Sequence, residues 1–128
     1  MKTIREVMND HPISIGPDAS LHEAIELLVK HNISGLAVVE PDGTILGVFG
    51  DRDLLKVFYE PEAHSIRSVM KRNPDTFAVD APLVDVFDYL MSEDFRRVLI
   101  HEDNKLVGLV SRADLMPAIL DVLLDKTA

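Results

Sequence analysis

Apolar residues recur along this chain at helical and at strand spacings, and the alternation runs through the same order twice. Ile4, Val7 and Met8 fall at helical spacing within residues 2–9 and predict a short amphipathic opening helix, ended by Pro12. Ile13-Ser-Ile15 predicts a short strand. Leu21, Ala24, Ile25 and Leu28 mark one face of a helix that runs to about Asn32, and Ser20-Leu-His-Glu23 heads it in the Ser-x-x-Glu form of a capping box. Leu36–Val39 and Ile45–Phe49 predict the strands of a hairpin around Pro41-Asp-Gly43, and a second helix is expected from Asp51 to Tyr59. Residues 60–65 lack periodicity and contain Pro61, which makes them a linker.

The second pass begins at Ile66-Arg-Ser-Val-Met70. Val7-Met8 answers Val69-Met70, Pro12 answers Pro74, Asp18-Ala19 answers Asp80-Ala81 and Leu21 answers Leu83, all 62 positions apart. Pro82 suits the first position of the next helix, capped by Asp80 or Ala81, with Leu83, Val86, Phe87 and Leu90 on its buried face. Val98–Ile100 and Leu106–Val110 predict a second hairpin. Its turn is one residue shorter, so Gly47 and Asp53 stand 61 positions before Gly108 and Asp114. The expected fold is α/β (α+β): two pseudo-two-fold repeats, each strand–helix–strand–strand–helix, packed sheet to sheet. The chain then divides into a first repeat with its opening helix (1–59), a linker (60–65), and a second repeat with an apolar C-terminal helix (66–128).

Composition narrows the function classes. The chain has 128 residues, 47% of them hydrophobic, enough for a real core. Without cysteine, disulfides, thiolate zinc sites and thiol catalysis are excluded. A net charge of −9 argues against a nucleic-acid partner, because phosphate backbones are held by clustered lysine and arginine. No apolar run follows Met1-Lys-Thr-Ile and none approaches membrane-spanning length, so neither a signal peptide nor a membrane partner is expected, and a cytoplasmic location is. Five scattered histidines show no zinc-ligand spacing, and no phosphate loop, nucleophile elbow or dinucleotide fingerprint occurs. Neither a metal site nor an enzyme is expected.

The doubled series Val-Met-(x)3-Pro, Asp-Ala-x-Leu, and an apolar hairpin ending in Gly, two apolar residues, Ser or Gly, then x-x-Asp-Leu closely resembles a tandem pair of CBS domains, named for cystathionine β-synthase. The resemblance runs from about Ile4 to Leu120. It implies a pseudo-symmetric pair with clefts between the repeats that bind adenosine compounds (AMP, ADP, ATP or S-adenosylmethionine) as regulatory ligands, and it implies dimerisation. The expected function is therefore a stand-alone ligand-sensing module that signals by conformational shift, with an adenine nucleotide, a second copy and an unknown regulated protein as partners. The alternative is a ligand-free interaction or dimerisation module.

Each candidate site residue carries a plainer reading beside its functional one. In the resembled family the Asp at Asp114 accepts hydrogen bonds from both ribose hydroxyls, and the Ser at Ser111 helps near the phosphate. The plainer reading is a capping box with Asp in place of Glu, and the two are compatible. Repeat one keeps Asp53 but has Gly50 in place of the hydroxyl residue, so repeat two is the better site. Arg96 and Arg97 precede the strand at Val98, where repeat one has Ser34 and Gly35, so the basic pair is no scaffold requirement. Arginine forks suit phosphate; the plainer reading is a solvated pair offsetting Glu93, Asp94 and Glu102. The resemblance places Thr76 and Phe77, with Ser14 and Ile15 in repeat one, and the apolar Phe95 and Ile33, around adenine. Phe77 and Phe95 also suit a plain core. The run Leu115–Leu124 is apolar on more than one face and calls either for a partner or for the chain's own opening helix.

Overall fold

The computed structural model describes residues 2–60, 65–92 and 96–127, with side chains to 125. In chain order the elements are α1 (Ile4–Val7), β1 (Ser14–Ile15), α2 (Leu21–His31), β2 (Gly35–Val39), β3 (Ile45–Gly50), α3 (Asp51–Leu54), α4 (Lys56–Tyr59), α5 (Ile66–Val69), β4 (Lys71–Arg72), β5 (Thr76–Ala78), α6 (Leu83–Met91), β6 (Arg97–Glu102), β7 (Lys105–Ser111), a 3-10 turn (Ala113–Leu115) and α7 (Met116–Thr127). Two sheets form, β1-β2-β3-β4 and β5-β6-β7, each with a parallel first pair and an antiparallel hairpin. The fold is mixed α/β with two repeats, as the sequence pattern predicts.

Local chemistry starts each repeat in the same way. Thr3 caps α1 reciprocally: the Glu6 N–H donates to Thr3 Oγ1 at 3.3 Å and the Thr3 N–H donates to Glu6 Oε1 at 3.1 Å. Those bonds hold the Glu6 carboxyl below its ordinary range. Ser65 and Ser68 make the equivalent box on α5. At α2 the Glu23 N–H donates to Ser20 Oγ at 3.0 Å, so the predicted cap forms through the serine.

The compact units do not follow the order of the sequence repeats. One comprises Ile13–Pro74, and the other comprises residues 1–12 with Asp75–Ala128. Ile4 and Val7 are buried with Val86, Leu90, Ile100 and Val110, elements of the second repeat. Ile66, Val69 and Met70 are buried with Ile15, Ala24, Leu28, Val38 and Phe49 of the first. Each opening helix thus completes the core of the other repeat's sheet. The segment after each helix also joins that sheet. Lys71 and Arg72 pair with Val48 and Gly47, and Asn9 bridges to Leu109. Glycine is needed at Gly47, since a Cβ there would sit 2.6 Å from the Lys71 carbonyl oxygen, and one at Gly108 would displace the Met8 side chain.

Several elements differ from the periodicity reading. The helix expected from Asp51 to Tyr59 is broken at Leu55, where the Phe58 N–H donates to the Leu55 carbonyl at 3.1 Å. Neither half buries a residue fully, and of the two only Leu54 packs against the core, so little packing enforces one regular helix there. Pro82 is the N-cap of α6 itself rather than its first helical residue. The C-terminal run restarts as a helix at Met116, which puts Pro117 in the first turn, where a missing N–H costs nothing. The linker residues 61–64 lie outside the described residues. Among the described residues no helix is long and apolar enough to cross a membrane.

Candidate functional site

Of the candidate residues of repeat two, Arg97, Ser111 and Asp114 lie together at one end of the sheet β5-β6-β7. Arg97 opens β6 directly opposite Ser111, which closes β7, so their side chains leave the same face. Beyond Ser111 the chain turns, and the Asp114 carboxylate swings back. The Ser111 N–H donates to Asp114 Oδ2 at 2.8 Å, and the Asp114 N–H donates to Ser111 Oγ at 3.3 Å. Both residues are half-buried. The turn leaves Asp114 with further acceptor capacity, since a carboxylate has about four lone-pair sites and the backbone takes one. The Arg112 N–H donates to the Arg96 carbonyl at 3.3 Å and ties the start of β6 to this turn.

Thr76 stands at the same sheet end, first in β5, which runs parallel to β6 and pairs Thr76 with Leu99. Phe77 points to the core side: its ring meets Tyr89 edge-on at a centroid distance of 5.5 Å. Tyr89 donates to Asp75 Oδ2 at 3.3 Å. Burial first, and then the Asp75 charge, push its phenol up, so it stays a neutral donor at physiological pH. Phe95 lies outside the described residues. Arg96 is exposed and Arg97 half-buried.

In repeat one the backbone hydrogen bonds correspond, but an α-helix starts directly after Gly50 and the side chains differ. Gly35 is opposite Gly50, the Asp51 N–H donates to the Ser34 carbonyl at 2.9 Å, and the Gly50 N–H donates to Asp53 Oδ2 at 2.9 Å. Asp53 also meets Lys56, Oδ1 to Nζ at 3.7 Å. Gly50 supplies no side-chain cap. Ser14 and Ile15 pair with Ala37 and Val38. Ile15 is buried in the core, and the half-buried Ile33 packs against it with its N–H on the Leu28 carbonyl. Near its turn repeat two therefore has Arg96, Arg97 and Arg112 with Asp114, whereas repeat one has Asp51, Arg52 and Asp53 with Lys56.

A separate depression of about 660 Å³ is lined by Lys2, Thr3, Arg5 and residues 79–84. It lies past the C-terminal end of β5, away from the turn, and takes in none of the candidate residues. The residue that the sequence reading passes over is Arg112. Its guanidinium reaches the end of α6, and only its charge contrast with Asp51 at the matching position hinted at a distinct role.

Two strand–turn–helix units with corresponding turn hydrogen bonds on one chain match the CBS domain, which is found at residues 4–60 and again at 66–121. The chain belongs to the CBS-domain family. Among solved CBS-pair structures, CBSX2 of Arabidopsis thaliana in complex with AMP is 26% identical, with a TM-score of 0.83 over 95% of this chain and 98% of that one. The CBS domain pair of protein MJ0100 in complex with 5′-methylthioadenosine and S-adenosyl-L-methionine is 25% identical, with a TM-score of 0.78 over 92% and 99%. The inosine-5′-monophosphate dehydrogenase of Chlorobaculum tepidum is 34% identical over 82% of this CBS pair, which spans 22% of that enzyme.

Proposed function

We propose that this CBS pair is a regulatory module that binds an adenosine nucleotide at the Ser111–Asp114 turn and has no chemistry of its own. The observation that carries the reading is the Asp114 carboxylate held back over the Ser111 amide, with Arg97 directly across the strand pair. A carboxylate with free acceptor sites suits the adjacent hydroxyls of ribose. Arg97, with Arg96, supplies the local positive charge that a phosphate needs on a protein of net charge −9. Thr76 at the same sheet end suits an adenine edge, and in repeat one Asp53, Gly50, Ser14, Ile15 and Ile33 form the poorer counterpart. CBSX2 with AMP and MJ0100 with S-adenosyl-L-methionine support this ligand class. Signalling would follow by population shift, the ligand favouring one conformation that a regulated partner reads.

The experiment is a thermal melt with AMP, ADP, ATP or S-adenosylmethionine in excess. A ligand that binds the native state stabilises it by RT ln(1 + [L]/Kd), about 2.7 kcal/mol at a hundredfold excess over Kd. At least one of these compounds is expected to raise the transition. If none does so at millimolar concentration, the ligand-free interaction module takes its place.

The same reading includes a homodimer. Phe58 and Tyr59 on α4 are 83% and 84% exposed, and Met91, Leu120, Leu123 and Leu124 leave more than half their surface bare. Apolar residues this open on three helices favour cover by a second copy. Light scattering at micromolar concentration is expected to give twice the 14.3 kDa chain mass, and a clean monomer would reject it.

A further inference from the structure

Helix α6 ends on an extended residue, whereas α2 ends on a left-handed one. At α2, Asn32 adopts φ 51° and ψ 50°, and its N–H reaches the Leu28 and Val29 carbonyls. That is the usual way to satisfy the last carbonyls of a helix. At α6 the capping residue Ser92 is extended, φ −66° and ψ 152°, and its N–H reaches Tyr89 alone. The Asp88 carbonyl accepts from Ser92 Oγ at 3.4 Å, and those of Leu90 and Ser92 are taken by a residue from the far end of the next hairpin. Arg112 Nε donates to the Leu90 carbonyl at 2.9 Å, and its Nη2 donates to the Ser92 carbonyl at 3.3 Å. The backbone N–H of the same residue holds the Arg96 carbonyl.

Arg112 therefore grips the chain on both sides of residues 93–95, before them with its side chain and after them with its backbone. It does so from the position next to Ser111. A guanidinium is suited to this, because its rigid fork serves two acceptors at once and its charge is favourable at a helix C-terminus. Asp51, the matching residue of repeat one, accepts the Arg52 N–H at 2.8 Å, and its acceptor-only carboxylate has nothing to donate to a helix end.

We propose that Arg112 is a positioning residue for phosphate recognition, fixing the start of β6, with Arg96 and Arg97, against the Ser111–Asp114 turn. The assignment rests on the nucleotide reading above. It differs from a general packing role in which ligand group it affects. Loss of the Arg112 side chain unties the end of α6 from the residue whose backbone holds the start of β6. That loosens the strand end that carries the arginines for the phosphate, and leaves the aspartate for the ribose in its own capping bonds.

The test is calorimetric titration of the full chain with AMP and with adenosine, for wild type, Arg112→Met, Arg97→Ala and the double variant. Arg112→Met keeps the apolar stem and the backbone N–H on the Arg96 carbonyl, and removes both side-chain bonds to the end of α6. It is expected to weaken AMP about tenfold, the scale of one charge-assisted hydrogen bond, and adenosine by less than about twofold. In the Arg97→Ala background it is expected to cost AMP almost nothing more, because the contact it positions is already gone. Equal losses for AMP and adenosine, or full additivity with Arg97→Ala, would overturn the assignment and make Arg112 a plain helix cap. Should the Met variant fail to fold, Arg112→Lys, with one donor centre in place of a fork, is expected to weaken AMP selectively as well. A wild-type protein that binds none of the adenosine ligands overturns the nucleotide reading and this assignment together. Wild-type binding with Arg112→Met and Arg112→Lys both within about twofold for AMP overturns this assignment alone.

Discussion

Replacing Ile4 by Ala is expected to lower stability by about 2–5 kcal/mol and to loosen the unit built from residues 75–128, not the segment that follows it in the chain. Ile4 is fully buried, and its neighbours in the core are Val86, Leu90, Ile100 and Val110. Truncation removes the transfer free energy of the lost carbons and leaves a cavity that a four-residue helix, tied by the Asn9–Leu109 bridge, closes only in part. Ile66→Ala is the mirror experiment, because Ile66 is as deeply buried among Ala24, Leu28, Val38 and Phe49. Chemical denaturation reads the size of the loss, and amide hydrogen exchange reads its place. Under Ile4→Ala the amides of β6 and β7 are expected to exchange faster while those of β2 and β3 hold; Ile66→Ala is expected to reverse the pattern. Acceleration in β2 and β3 with Ile4→Ala would show that the opening helix serves its own repeat.

Asp114→Ala is expected to cost about ten- to a hundredfold in nucleotide affinity, on the order of 1.5–3 kcal/mol for a charged acceptor that faces two hydroxyls. Asp53→Ala is expected to cost less. The backbone bonds are alike at the two sites, 2.8 Å to Ser111 and 2.9 Å to Gly50, so the difference comes from the surroundings. Asp114 has Ser111 Oγ and the Arg97 strand neighbour, while Asp53 has Gly50, Gly35 and the Lys56 ammonium. Because Asp114 also caps its turn, the alanine variant weakens local structure as well as binding. Asp114→Asn separates the two. Its amide oxygen can still accept the Ser111 N–H, so the melting temperature should stay near wild type while ribose affinity falls. Calorimetry that shows equal losses at Asp53 and Asp114 would move the site off the second repeat.

The doubling of the fold was legible in the sequence because it is carried by local signals. Val7-Met8 and Val69-Met70, the hairpin strands, and the Gly-x-x-Ser and Gly-x-x-Gly turns recur at nearly constant spacing, and strand period and cap chemistry need only neighbours in sequence to be read. The pairing of Ser111 with Asp114 is of the same kind, a three-residue offset that a turn closes by itself. Arg97 was legible as a contrast with Gly35, and its place across from Ser111 follows from hairpin register.

What the tertiary structure alone decided are the long-range choices. Lys71-Arg72 has no strand pattern, yet it pairs with β3 because that edge offers unpaired backbone groups and α5 delivers the chain beside it. Asp51–Tyr59 has helical periodicity but packs on the core through little more than Leu54, and it breaks at Leu55. The exchange of opening helices leaves no mark in either repeat's pattern, since Ile4 and Ile66 have equally apolar cores to choose from. The same holds for Arg112, whose partners at Leu90 and Ser92 are set by where α6 stops and by how β7 returns past it. Periodicity tells each segment which face to bury; which other segment it is buried against is settled by the packing of the whole chain.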